Sequence, residues 1–304
     1  MKRTKNPAAS VKARLLLLAQ KQSEPFEAIM LRYAFERLLY RLGCIISDED
    51  FLLKGGLLLG ILSNSPYRQT RDLDLLGKGD PNVERLVKIF SQASLLDFPE
   101  DGLRFSEDIR TQTIKEEQDY PGVRLILNAF LENARLTLQV DIGFGDAVLK
   151  PYQPVLFEPL LGFPLPEIQA YPVESILAEK FHALYVRGLT TSRMKDIYDL
   201  WYLITKQTWG TGRVLEAIQL TFERRRTPMP IALPIMFTPD FYEDSSKLSQ
   251  WEAFQKTIQV KSKISLQETL TQLKNFWWPL FEATQLKSDS VHEWNPETGN
   301  WQKQ

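Results

Sequence analysis

The sequence predicts an α+β chain: a mixed sheet flanked by helices, followed by a helical C-terminal domain. Three observations predict it. Apolar residues recur at helical spacing through Ser10–Arg41. Short β-branched and aromatic runs gather between residues 51 and 144. Helical periodicity then returns beyond a proline-rich stretch at Lys150–Pro172 and continues to Phe281.

Taken in order, Leu15 and Leu18, then Ile29, Leu31, Phe35, Leu38, Leu39 and Leu42, mark two helices separated near Ser23–Pro25. Asp48 to Gly56 is a turn leading into a strand, Phe51–Leu53, that ends at a glycine pair, and Leu57–Leu62 starts a helix. Leu73–Leu76 is a second strand. A helix follows at Val83–Ser91, and Phe105–Glu116 reads as one extended segment. Val123–Leu131 and Arg135–Phe144 form a hairpin with Glu132 and Asn133 as its turn. Pro151, Pro154, Pro159, Pro164, Pro166 and Pro172 mark a linker or a chain wrapping the surface. Beyond them come helices at Val173–Val186, Lys195–Thr205, Gly212–Arg225 and Leu266–Phe281, with another proline-rich loop at Thr227–Pro239. The tail after Leu286 is expected to be flexible or draped over the body. We divide the chain into residues 1–165, a core with N-terminal helices, and residues 166–304, a helical domain.

Composition excludes several classes. The chain has 304 residues and 43% apolar content, enough for a sizeable core. Its 37 basic and 38 acidic residues give a net charge of −1, so any polyanion site must be a local patch. Arg224, Arg225 and Arg226 are the candidate run, although a solvated helix end explains them equally well. A single cysteine, Cys44, rules out a disulfide framework, and His182 and His292 leave too few soft ligands for zinc. No apolar run approaches the roughly 20 residues that span a bilayer. The basic Met1–Lys5 leads into Pro7 and polar residues, not a signal-type segment. A cytoplasmic protein without membrane contact is expected.

The chemistry is carried by carboxylates. In Arg71-Asp-Leu-Asp-Leu75, Asp72 and Asp74 lie two apart on a strand and face one side. Like charges so placed repel unless a divalent cation sits between them, and Mg²⁺ suits carboxylate and triphosphate oxygens. Asp141, in Val140-Asp-Ile-Gly143, supplies a third carboxylate on a nearby strand and is the candidate contact to an attacking hydroxyl. Gly55 and Gly56, between strand and helix, let backbone N–H groups approach phosphate at the helix end that favours anions.

A second constellation lies in the later helices. On a helical wheel Lys180 falls within the apolar arc of Val173, Ile176 and Leu184. Arg193 and Asp196 fall within the arc of Ile197, Leu200, Leu203 and Ile204, with Asp199 at its margin. One account is a structural ion pair. The other is a cleft wall, with Lys180 neutralising triphosphate charge while Asp196 or Asp199 orients Lys180, Arg193 or Lys195.

Together, Lys54-Gly-Gly56, Arg68-Gln-Thr-Arg-Asp-Leu-Asp74, Val140-Asp-Ile142, Glu174–His182 and Arg193–Leu200 resemble the AbiEii/AbiGii toxin family of bacterial nucleotidyltransferases. Ser10–Leu15 and Glu36–Arg41 are similar to it as well. The resemblance implies a polymerase β-like nucleotidyltransferase core with an appended helical domain completing the active-site cleft. It also implies a toxin with a cognate antitoxin, Mg²⁺ or Mn²⁺ as the metal, an NTP as substrate, and an RNA acceptor, with the 3′ end of tRNA the expected one. By motif, Asp72, Asp74 and Asp141 carry over as catalytic metal ligands. Gly55 and Gly56 carry over as the phosphate loop, Lys180 as the catalytic or nucleotide-contacting lysine, and Asp196 as the essential acid of the last motif. Lys54, Thr70, Arg71, Arg193, Lys195 and Asp199 would line the nucleotide. A metal-dependent RNA phosphodiesterase is the alternative enzyme, though such sites usually recruit histidine. A catalytically silent interaction protein of the same fold is the other.

Overall fold

The computed structural model describes residues 6–47, 50–63, 70–114, 122–155, 158–258, 263–285 and 292–303. The chain divides into two compact units, Met1–Asp146 with Tyr152–Tyr171, and Ala147–Pro151 with Pro172–Gln304.

The first unit opens with helices α1 (Pro7–Gln22) and α2 (Phe26–Gly43). Asn6 caps α1 by accepting from the Ala9 N–H at 3.1 Å, and Ser23, at φ 54°, ends it in the left-handed region. Strand β1 (Phe51–Lys54) passes directly into α3 (Gly55–Leu62). Then come β2 (Asp72–Gly77), α4 (Val83–Leu95), β3 (Leu103–Phe105), β4 (Arg110–Ile114), β5 (Gly122–Leu131), β6 (Ala134–Phe144), β7 (Gln153–Pro154) and β8 (Gln169–Ala170). They form a mixed eight-stranded sheet in the order β3-β5-β6-β2-β1-β8-β7, with β4 also on β5. Strands β2 and β6 run parallel; β1 with β2 and β5 with β6 run antiparallel. Leu125, Leu127, Ala129, Leu138, Val140 and Ile142 are wholly buried on one face, where α2 packs against β6 and α1 against β5. The alternate residues face the other way, as the period of two requires.

One expectation needs correction here. The extended segment placed at 105–116 is two strands, because the Ser106 hydroxyl accepts from the Asp108 N–H at 3.1 Å and turns the chain. The part of that segment at 115–116 lies outside the described residues. Of the two readings of the proline-rich stretch, a chain wrapping the body holds, since most of it belongs to the first unit and adds β7 and β8 beside β1. Its backbone is tied down by charged side chains of the N-terminal helices. Glu36 accepts from the Leu160 N–H at 2.9 Å, and Arg37 and Arg14 donate to the Pro164 and Leu161 carbonyls, each at 2.6 Å. Glu36 and Arg37 are buried, and these bonds compensate groups that would be costly to desolvate alone.

The second unit holds α5 (Val173–Arg187), α6 (Met194–Lys206), β9 (Trp209–Gly210), α7 (Thr211–Arg224), α8 (Pro239–Tyr242), α9 (Ser245–Gln255), α10 (Leu266–Gln285), β10 (His292–Asn295) and β11 (Asn300–Lys303). Its core is aromatic: Phe181 stacks on Trp277 at 4.3 Å, and Phe276 meets Trp294 edge-on at 5.0 Å. The described part of the tail is draped rather than loose. It forms a hairpin paired with β9, and the buried Trp294 indole donates to the Ile204 carbonyl at 2.7 Å. Helix α9 escaped sequence reading because it buries only Lys247 and Trp251, too few to make an apolar stripe. Among the described residues no helix is long and apolar enough to cross a membrane.

Candidate active site

The parallel pairing of β2 with β6 decides the geometry. Asp74 stands opposite Asp141, and Asp72 opposite Gln139. Since Asp72 and Asp74 share a face, the three aspartates converge: one carboxylate oxygen from each lies within 4.8 Å of the others. The register extends outward on both sides, with Lys54 opposite Asp74 and Arg124 opposite Asp141. A row of cation, carboxylate, carboxylate, cation thus crosses the sheet and offsets part of the repulsion within the triad.

Gly55 is required by this packing. It sits at φ 70°, and a Cβ built there would lie 1.8 Å from Asp74 Oδ2. The Asp74 carboxylate therefore rests on the bare backbone at the start of α3, where amide N–H groups lack helical partners. Gly56 follows it, buried in the first turn of the helix.

Several supporting residues were not picked out from the sequence. Arg124 grips Asp141 with two bonds, Nε to Oδ1 and Nη2 to Oδ2, both at 2.8 Å. This bond, above all, pushes the Arg124 guanidinium further up from its already high range, so it stays charged. Gln139 Nε2 also donates to Asp141 Oδ2, at 3.3 Å. Asp146 Oδ2 accepts from Nζ of the candidate Lys54 at 2.9 Å, and that ammonium lies 5.6 Å from the Tyr171 ring centre. A signal for Arg124 existed. With Glu132 and Asn133 as the hairpin turn, counting back along both strands places Arg124 directly across from Asp141. Of the other candidates, the Thr70 hydroxyl donates to Asp72 Oδ1 at 2.9 Å, and Arg71 is exposed. Arg68 lies outside the described residues.

In the second unit, Lys180 on α5 reaches two carboxylates of α6, Asp196 Oδ1 at 2.6 Å and Asp199 Oδ2 at 2.8 Å. Arg193 Nε makes a short bond to the other oxygen of Asp196. Both aspartates are fully buried. Burial pushes the Asp196 carboxyl up, but Lys180 and Arg193 together outweigh it and hold the group below the usual carboxylate range. Lys195 is exposed and has no place in this cluster. His182, two residues further along α5, is a packing residue: it is buried edge-on against Phe222, with Nε2 on the Thr227 hydroxyl at 2.8 Å. Arg225 Nη1 lies 3.1 Å from its Nδ1, which draws the middle of the 224–226 run inward.

A family model described as "Nucleotidyl transferase AbiEii toxin, Type IV TA system" matches residues 37–274. The chain belongs to this family. An AbiEii protein is a nucleotidyltransferase of a toxin–antitoxin system, which implies an NTP substrate and an antitoxin partner. The match spans the aspartate triad and the Lys180 cluster, and leaves out α1 and the β10–β11 hairpin. Among solved structures, JHP933 from Helicobacter pylori superimposes with a TM-score of 0.52 at 18% identity, covering 86% of this chain and 94% of that one. At that identity the likeness establishes the fold. A second H. pylori structure, described as that of a candidate nucleotidyltransferase, gives 0.49 at 18% identity, with coverage of 83% and 93%. No curated protein matches this chain.

Proposed function

We propose that this AbiEii protein transfers a nucleoside monophosphate from an NTP to the 3′ end of an RNA, with tRNA the favoured acceptor, and that Mg²⁺ or Mn²⁺ is required. The observation that carries the reading is the convergence of Asp72, Asp74 and Asp141 beside the Gly55 backbone. Three hard, anionic oxygen donors within reach of one another fit a divalent cation, and among the described residues the cluster is made of carboxylates alone, a donor set that suits magnesium or manganese better than zinc. Asp72 and Asp74 would hold the ion that the triphosphate shares, and Asp141 would join them. When bound, the metal supplies charge neutralisation on the triphosphate and a lowered pKa for the acceptor hydroxyl.

The chain's own residues do the rest. Thr70 fixes the Asp72 carboxylate, and Arg124 with Gln139 fixes that of Asp141. The start of α3 offers backbone N–H groups to phosphate oxygens, with Lys54 and Arg71 as further cations near the same strand ends. Asp141 accepts the proton of the attacking hydroxyl. From the second unit, Lys180 is assigned to the nucleotide phosphates and Asp196 and Asp199 to positioning it, with Arg193 on Asp196 in support.

The test is direct. Purified protein incubated with total RNA and each α-³²P-labelled NTP in turn should label RNA in a metal-dependent way, and Asp74→Asn should not. Shortened RNA without label would favour the phosphodiesterase alternative; neither outcome would favour a silent binder.

A further inference from the structure

The sheet face that carries the triad does not end at Asp141. On β6 the residues sharing its side are Gln139, Thr137 and Arg135; on β5 they are Arg124, Ile126, Asn128 and Phe130. The register adds Arg110 and Gln112 of β4, opposite Ile126 and Arg124, and Arg104 of β3, opposite Phe130. Side-chain contacts confirm the shared side: Arg135 Nε donates to Asn128 Oδ1 at 3.1 Å, and the Arg104 guanidinium lies 5.1 Å over the Phe130 ring. Arg104, Arg110, Gln112, Arg135 and Thr137 are exposed, while the opposite face of β5 and β6 is buried under α1 and α2.

We infer that this face is the track for the acceptor, a single-stranded 3′ end of RNA laid across β6, β5, β4 and β3 with its terminus at Asp141. Three features point to that partner. The first is charge. Facing this way on β2 to β6, the described acidic side chains are those of the triad alone, and every charged group beyond them is an arginine. In a chain of net charge −1, that local separation is a patch of the kind a polyanion needs. The second is the mixture of cation with flat or apolar surface. The half-exposed Phe130, its stacked Arg104 and Ile126 offer faces to unpaired bases, which a duplex would keep stacked internally. The third is reach. From Asp141 to Arg135 the strand advances six residues, about 20 Å, room for a few nucleotides rather than one. The Arg224–Arg226 run, with Arg225 turned toward His182, presents no comparable face.

The inference rests on the reading of the acceptor as RNA, and the experiment separates the two. Anisotropy of a short, end-labelled single-stranded RNA is measured over a range of salt with wild type and with the combined variant Arg104→Glu, Arg110→Glu, Arg135→Glu. The expected result is at least a tenfold loss of RNA affinity and a salt slope smaller by about 2, three phosphate contacts having gone. Mg²⁺-NTP binding and the melting temperature should be unchanged. RNA affinity within about twofold of wild type would overturn the track, as would equal binding of a blunt RNA duplex by wild type. If the reversed charges lower the melting temperature, the Arg→Gln set replaces them with the same opposed outcomes. Failure of wild type to extend any RNA would defeat the functional reading instead, and is scored in the separate labelling assay.

Discussion

Substituting Gly55 by alanine probes the candidate site without replacing any titratable group. Two costs follow from the structure. The backbone at φ 70° is one that L side chains avoid, at roughly 1–2 kcal/mol. The new Cβ would also start 1.8 Å from Asp74 Oδ2, where ordinary contacts are near 3.4 Å, so the carboxylate must retreat by more than an ångström. It cannot retreat far, because Asp74 is held between Lys54 and Asp141 by the sheet register. A displacement of about 1 Å in a reacting constellation costs on the order of 10²-fold in rate. We therefore expect Gly55→Ala to melt only a few degrees early, about 2–4 °C per kcal/mol for a unit of this size, yet to lose about 10²-fold in nucleotide transfer and to bind Mn²⁺ weakly. Gly60→Ala on the same helix is the control. No described atom lies within 4 Å of its added methyl, so it should gain up to about 1 kcal/mol of stability and keep full activity. Calorimetric Mn²⁺ titration, thermal melts and labelled-NTP transfer on the three proteins settle the matter. Wild-type transfer by Gly55→Ala would refute the placement of Asp74 at the metal.

Further outcomes are expected. Asp72→Asn and Asp74→Asn should each abolish transfer with melting temperature unchanged or raised, since each relieves repulsion within the triad; activity in either would remove the metal site. Lys180→Ala removes the ammonium shared by two buried carboxylates and should cost about 3–5 kcal/mol, whereas Lys180→Met combined with Asp199→Asn should recover much of that while transfer stays low. Recovery of transfer along with stability would return Lys180 to a purely structural role. His182 is held neutral, its pKa pushed down to about 4 first by burial and then by Arg225. The unfolded chain therefore binds an extra proton between pH 4 and 6.5, so stability is complete above about pH 6.5 and falls, by up to about 3 kcal/mol, as pH drops toward 4. Melts at stepped pH should show this slope in wild type and a shallower one in His182→Gln. The Asp196 carboxyl acts further down, its contribution to the second unit being lost only as pH falls below the usual carboxylate range.

The elements that carry chemistry were legible in the sequence because their signals are local. Asp72 and Asp74 read as a pair from the strand period alone, and Lys180, Arg193, Asp196 and Asp199 stood out as charges in apolar arcs, where the structure joins them. What stayed hidden depends on distant partners. The segment at 158–168 read equally as a linker or as a chain wrapping the surface because the groups that hold it, Glu36, Arg37 and Arg14, lie more than a hundred residues earlier. The tail looked polar because a single buried indole, Trp294, anchors it. Helix α9 has no stripe to read.

Arg124 shows what lies between these cases. Nothing in its own neighbourhood marks it, yet the two-residue turn at Glu132–Asn133 is local, and once placed it fixes a register that sets Arg124 against Asp141. The consequence for mechanism is specific. Both oxygens of Asp141 are engaged by a guanidinium that stays charged, so Asp141 enters the triad already oriented and partly neutralised. Arg124→Lys keeps the charge but cannot reproduce the two parallel bonds. If Asp141 accepts the hydroxyl proton, that variant should lower transfer while leaving Mn²⁺ affinity within about twofold. If Asp141 serves only as a metal ligand, Mn²⁺ affinity should fall along with transfer.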